Sequence, residues 1–447
     1  MKSGRIISLV IIAITFGCGD KLNIEPFNQV DGNNAIQTSA DVQALLVGAY
    51  DAMGDGDVLG GNMQRDSELL GDDGEVFWDG TFVAPGEIWV KSMLVTNDQA
   101  EETWLDAYRA INICNLVLAN VDLVTIANRD IVEGEAKFIR GTLYFELVKL
   151  YAKTWTDGNP AQNPGVPLRL TPTTPSPAAE FVDRRSVSAV YAQIISDLED
   201  AKDLLPPSNG FFASTYSASA VLSRVYLMQN EYALALAEAN EVIESGEFAL
   251  TGSFANAFGR TSSSGANATP EDVFALQVTS QDGVNNLNTF FASADFAGRG
   301  DILIEQAHFD LYETGDERAD FFYDDTWTAK FNNQFGNITI IRLAEMYLTR
   351  AECNQELGSS VGATPLEDIN TIRSRAGLDD ALTVDLNAIL AERRLELAFE
   401  GQLLHDLKRR QLPVGGLAFN DNKLVFPIPQ RERIINPSLD QNPGYGN

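Results

Sequence analysis

The sequence predicts a mainly α protein. About four degenerate helix pairs of the tetratricopeptide type form its scaffold, and long loops with small β-hairpins form the rest. Three observations carry that expectation. Apolar residues recur at helical spacing in several separate segments, short links join some of these segments into antiparallel pairs, and Gly-, Pro-, Asn- and Ser-rich stretches without periodicity lie between them. The chain has 447 residues, 45% apolar and 21% charged, a composition that suits a buried core rather than a disordered polymer.

Asp98 to Val121 is a helix, with Trp104, Tyr108, Ile111 and Leu118 at helical spacing. Glu133 to Tyr151 is a second, with Ala136, Ile139, Leu143, Leu147 and Leu150 on one stripe. Ser186 caps a third, with Val190, Ile194, Leu198 and Ala201 on one face, and Pro206-Pro207 ends it. Ser217 to Met228 and Glu231 to Glu244 follow; only Gln229 and Asn230 separate them, so they are antiparallel neighbours. Small residues Ala218, Ala220, Ala235, Ala237 and Ala239 let them approach, and Leu222, Tyr226, Tyr232 and Ala235 give the pair a tetratricopeptide character. Ile341 to Gly358 with Leu366 to Ala376 reads as another pair, and Glu392 to Glu400 as a charged helix stopped by Gly401. Residues 54–97, 154–185 and 248–337 carry few regular stripes and read as long irregular stretches. Loops of this length in a compact domain are usually functional.

The formal net charge of −31 argues against nucleic acid, which needs clustered Lys and Arg, and against docking on anionic lipid by charge. Solubility is the bland reading of the acidity; a preference for cationic or calcium-bearing ligands is the sharper one. With only two histidines, His308 and His405, a His cluster for metal is excluded, and a Ser-His-Asp triad would have to use one of them. Lys2 and Arg5 precede an apolar run from Ile6 to Phe16, then Gly17 and Cys18, which reads as an export signal over residues 1–17. Thr15-Phe16-Gly17-Cys18 resembles a bacterial lipobox, which makes Cys18 the acylated first residue of the mature chain and residues 18–40 a leash. Cys114 and Cys353 sit in amphipathic helical segments and read as buried thiols, with a disulfide between them as the alternative in an oxidising compartment.

The end of the chain is distinctive. After Gly401 come Asp406-Leu-Lys-Arg-Arg410, Pro427-Ile-Pro429 and Asn436-Pro-Ser-Leu-Asp-Gln-Asn-Pro-Gly-Tyr445, with apolar Leu424, Val425, Phe426 and Ile428 among them. Prolines fix φ and hold their predecessors extended, so this tail reads as rigid and packed. The pattern resembles the C-terminus of the RagB/SusD family, the surface nutrient-binding lipoproteins of Bacteroidetes outer membranes. Other segments match the same family in order: Trp104-x3-Tyr108-x2-Ile111-Asn112, Glu135-Ala-Lys-Phe-Ile-Arg140, Asp316-Glu-Arg318, Ile341-Arg-Leu-Ala-Glu-Met-Tyr347 and Ile372-Arg-x-Arg375-Ala-Gly377. The resemblance runs from Cys18 to Tyr445.

It implies a SusD-like fold in one domain over residues 41–447, with an N-terminal part over 41–210 and a RagB/SusD part over 211–447. It implies a non-enzymatic, lipid-anchored outer-membrane protein facing the cell surface. Such a protein captures oligosaccharide or polysaccharide and hands it to a SusC-like TonB-dependent β-barrel transporter, over which it acts as a lid. The alternatives are a peptide-capturing importer of the same family, a glycoside hydrolase, and a tetratricopeptide adaptor. A glycosidase would need a carboxylate acid/base pair, yet Glu392, Glu396 and Glu400 have Arg neighbours that keep carboxylates ionised and poor as general acids.

A pyranose packs its C–H face on an aromatic ring and needs polar neighbours for its hydroxyls. Aromatics in irregular polar segments are therefore the candidates: Trp78, Trp327, Phe290 and Phe291, with Asp79, Asn288, Arg65 and Arg299 as hydrogen-bonding partners. Trp104 and Trp155 read as core. The acidity gives a lean towards neutral glycans such as a laminarin-type β-glucan. No cofactor is implied; Asp55-Gly-Asp57 and Asp72-Asp-Gly-Glu75 read as solvated acidic turns, with structural calcium as the alternative.

Overall fold

The computed structural model describes residues 36–173, 181–258, 268–281 and 283–446. The expected export signal, Cys18 and most of the expected leash lie outside the described residues. Helix Ser39–Met53 begins within the stretch read as leash. Thr38 caps it through a reciprocal pair of hydrogen bonds with Asp41, and Val42, Leu46, Ala49 and Met53 form its buried face.

From there the helices form a continuous row. Asp98–Ala119 packs on 39–53, Arg129–Tyr151 on 98–119, Val187–Leu204 on 129–151, and Thr215–Met228 on 187–204. Tyr232–Glu244, Leu343–Leu357 and Pro365–Arg375 continue it, each on the one before. The expected stripe of 129–151 is buried, and so is nearly every residue of its second half, because neighbours cover it on several sides. Burying one such Leu stabilises by about 1.5–3 kcal/mol. Ser186 does cap its helix, accepting from the Ala189 N–H at 3.2 Å.

Bidentate Arg–carboxylate pairs join neighbouring helices. Arg140 holds Asp197 at 2.8 and 2.7 Å, Arg224 holds Glu345 at 2.7 and 2.6 Å, and Arg350 holds Asp368 at 3.0 and 2.6 Å. Such forks add geometric specificity to the apolar packing. Cys114 and Cys353 are free and buried.

The tail packs as the prolines suggest. Leu424, Val425, Phe426 and Ile428 are buried, the Phe426 N–H donates to the Leu150 carbonyl at 2.8 Å, and Asn442 Nδ2 donates to the Tyr151 carbonyl at 2.8 Å. The chain end is therefore stitched to the end of the 129–151 helix.

Three expectations change. The charged helix runs Leu386–Glu396 rather than 392–400, since Phe399 and Gly401 both take positive φ and turn the chain. The stretch 54–97 is not irregular throughout: it contains helices Asn62–Gly71 and Val83–Trp89. All ten residues of 62–71 are buried, many of them polar, so no apolar stripe announced it. Of the four antiparallel strand pairs among the described residues, only Phe322–Tyr323 with Trp327–Thr328 is a tight hairpin. Asp324 and Asp325 make its turn in the left-handed conformation. The pairs Val76–Trp78 with Ile302–Ile304 and Asp272–Leu276 with Ile338–Arg342 join segments far apart in sequence.

Candidate functional site

The Val76–Trp78 and Ile302–Ile304 pair brings the candidate residues together. Val76 and Trp78 point inward and Phe77 outward, as strand alternation requires, and the Asp79 N–H extends the ladder to the Asp301 carbonyl at 2.9 Å. Behind it the ring of Phe290 lies 6.0 Å from Trp78 and 6.3 Å from Phe82. Arg299 lies 4.5 Å above the Phe82 ring, and its Nε donates to Asp301 at 2.7 Å while Nη2 reaches Thr81. That cation is aimed by its carboxylate and stacked on an aromatic face.

The band continues across Gly300. Trp327 Nε1 lies 3.5 Å from the Gly300 carbonyl, Tyr323 stacks 5.8 Å from Trp327, and Phe296 lies 5.2 Å from Tyr323. Gly300 has φ +64, and a Cβ there would sit 2.8 Å from Trp327 Nε1. Both facts require glycine. Tyr323 is fixed by accepting the Ser293 N–H at 2.9 Å.

Trp78, Asp79, Phe290, Arg299 and Trp327 thus share one region, but they do not share one exposure. Trp78 and Phe290 are 7% and 6% exposed and form the floor. Phe291 is fully buried with Phe331 and Phe399. Asn288 is fully buried too, its Nδ2 donating to the Phe296 and Phe331 carbonyls. Arg65 is 1% exposed and lies 4.2 Å from the hidden side of Phe290, held by Asp66 and Gln99. These three brace the loops from behind and present no surface here. The reason is shared: each belongs to a short buried helix, Asn62–Gly71 or Asn286–Phe291. The groups that do reach the surface include Phe82, 49% exposed, and Phe296, 40% exposed. Sequence reading passed over both, although each is an aromatic in an unpatterned polar segment, the signal that found Trp78.

Both histidines are packed. Burial, with the Lys330 charge, pushes His308 down to about 3, and its Nδ1 sits 2.5 Å from Glu75. Burial also holds His405 well below its ordinary range, with Nε2 3.3 Å from Ser67 Oγ. Asp72 is occupied by the backbone, Oδ1 accepting from the N–H groups of Gly74, Glu75 and Val76. Asp55, Asp57 and Asp106 converge, but Arg109 already bonds Asp55 at 2.8 Å and Asn62 bonds Asp57 at 2.7 Å.

Solved structures of the SusD superfamily share this fold. A SusD superfamily protein of Bacteroides thetaiotaomicron superposes with a TM-score of 0.79 at 23% identity, covering 91% of this chain and 100% of that one. Surface glycan-binding protein A of Bacteroides uniformis does so with a TM-score of 0.76 at 23% identity, covering 91% and 99%. A SusD-like protein of Formosa agariphila is 24% identical over the whole of both chains. Residues 26–227 match a SusD-like family model described as starch-binding and associating with the outer membrane, and residues 317–418 match the SusD family model. The chain belongs to the SusD family.

Proposed function

We propose that this protein captures oligosaccharide or polysaccharide on the face that runs from Phe82 and Arg299 to Trp327 and Phe296, without catalysing its cleavage. The observation that carries this reading is the aromatic band itself: rings for sugar faces, with the aimed Arg299 guanidinium and the Asp79 carboxylate beside them for hydroxyls. The family description as starch-binding and the glycan-binding relative support the ligand class. The association of the family with the outer membrane supports anchoring through an acylated Cys18, with the body at the cell surface. The captured glycan then passes to a SusC-like TonB-dependent barrel, with this protein as its lid.

The net charge of −31 favours neutral chains such as laminarin over polyuronates and sulfated glycans. Affinity electrophoresis against a panel of soluble polysaccharides tests the reading. Retardation by a neutral glucan is the expected result. If no polysaccharide retards the protein and peptides bind it instead, the peptide-importing alternative replaces it. Co-purification of a large barrel with the tagged lipoprotein tests the partnership separately.

A further inference from the structure

The loop between helices Val187–Leu204 and Thr215–Met228 carries Asn209-Gly210, the only Asn-Gly pair in the sequence. We propose that Asn209 is a site of self-modification, which loses its side-chain amide to attack by the Gly210 backbone nitrogen while the Glu135 carboxyl gives the departing nitrogen its proton.

The reacting groups are placed for this chemistry. Gly210 is exposed, and among the described residues nothing accepts its N–H. Glycine has no Cβ to shield that nitrogen. Its φ is +65, and an added Cβ would meet nothing within 4 Å, so it stands at an open turn. Asn209 Nδ2 donates to Glu135 Oε1 at 2.7 Å and to the Ala213 carbonyl at 2.9 Å. Asn209 Oδ1 accepts no donor among the described residues. The leaving nitrogen is thus held, while the oxygen that takes up negative charge stays open to water.

Glu135 is buried and has no cation partner among the described residues. The charges around it are committed elsewhere. Lys137 pairs with Glu133 and Asp200, Arg140 with Asp197, and Lys202 with Glu238 and Glu241. Asp51, beside Tyr50 on helix 39–53, is exposed, and residues 204–214 carry no charge. Cys114 stays neutral, since burial pushes its thiol up to about 12. Burial therefore raises the Glu135 carboxyl to about 7, against hydrogen bonds from Asn209 and Tyr50. A carboxyl that keeps its proton near neutral pH can act as a general acid where an amine departs.

The step balances without a further reactant. The Gly210 nitrogen gives its proton to water and bonds to Asn209 Cγ. The Cγ–Nδ2 bond breaks, and Nδ2 leaves as ammonia with the Glu135 proton. Water then opens the succinimide to aspartate or isoaspartate, and Glu135 regains a proton from solvent. The new carboxylate faces Glu135 with no cation between them, a repulsive pair. The link from helix 129–151 to the Ala213 carbonyl is lost, which loosens the loop that carries the exposed Phe211 and Phe212.

Peptide mapping by mass spectrometry after incubation at neutral pH tests this, with the same chain unfolded in urea as the reference. Asn209 of the folded protein is expected to deamidate about tenfold or more faster than in the unfolded chain. Glu135→Gln, folded by circular dichroism, is expected to fall to the unfolded rate, and Gly210→Ala to slow it about tenfold or more. The wild-type rate is expected to level off as pH passes about 7, whereas the Glu135→Gln rate keeps rising. Deamidation no faster in the folded than in the unfolded chain would overturn the proposal, because the hydrogen bonds on Nδ2 would then protect the amide. So would a Glu135→Gln rate equal to wild type, or a wild-type rate that rises through neutral pH without levelling.

Discussion

Arg342 donates to the Glu396 carboxylate and to the Glu396 backbone carbonyl, both at 2.5 Å. The same guanidinium reaches Glu271 at 2.8 Å and Glu400 at 2.9 Å. One side chain thus ties the end of strand 338–342 to Glu271, just before strand 272–276, and to the end of helix 386–396 with the turn that follows it. Arg342→Met leaves buried carboxylates short of a partner, and is expected to cost about 3–5 kcal/mol. Equilibrium denaturation measures it, and an unchanged midpoint would show that Arg375 and Arg318 suffice alone.

Glu135 supplies a pH signature. Burial pushes its carboxyl up from 4.5 to about 7, against hydrogen bonds from Asn209 and Tyr50. The folded state keeps this proton where the unfolded state releases it, so the group's contribution to stability falls as pH rises from 4.5 through about 7. Glu135→Gln keeps an acceptor and cannot ionise. Relative to the variant, wild type is expected to lose about 2–3 kcal/mol across that window. Parallel stability–pH curves for the two proteins would contradict it.

Glu396 has the opposite sign. Burial opposes its ionisation, but Arg375, Arg342 and Arg318 outweigh burial and hold it well below the usual carboxylate range. Its contribution is present above the unfolded value of about 4.5 and is lost as pH falls towards the folded one. Acid unfolding of wild type is therefore expected to be steep. In Glu396→Gln the acid limb flattens, and hydrogen exchange of the 386–396 helix against pH reads this directly.

On the proposed glycan face, exposure separates binding from folding. Phe82→Ala is expected to weaken the best glycan about tenfold while shifting stability by less than about 0.5 kcal/mol. Trp78→Ala removes a floor residue and is expected to cost about 3–5 kcal/mol of stability as well. Equal affinity in Phe82→Ala and wild type would take Phe82 out of the contact surface.

Gly300→Ala is expected to cost about 1–2 kcal/mol for the left-handed backbone, and to displace Trp327. Tryptophan fluorescence and glycan affinity should change together. A shifted spectrum with unchanged affinity would leave Trp327 outside the site.

Periodicity made the long helices legible. The stripe from Ala136 to Leu150 and the two-residue link after Met228 each rest on neighbours within a few turns. Helix 62–71 was hidden because Arg65, Asp66 and Glu68 are buried in polar contacts, which a stripe cannot encode. Helix 39–53 did carry a signal, the Thr38–Asp41 capping box, but it abuts a polar stretch that reads as leash. The candidate face was legible in its aromatics, not in its layering. Trp78 and Phe290 meet only through tertiary contacts, so which ring becomes floor and which becomes surface is decided by partners remote in sequence.

The short ladder that pairs Val76 with Ile304 has a kinetic side. Closing a loop of this length has a large entropic cost and is rewarded by few strand hydrogen bonds, whereas the helix row grows by local steps. The aromatic face should therefore assemble after the helical row and open before it. Its outer loops would then show the fastest amide exchange of the folded body, and ligand would slow that exchange most at residues 76–82 and 296–304.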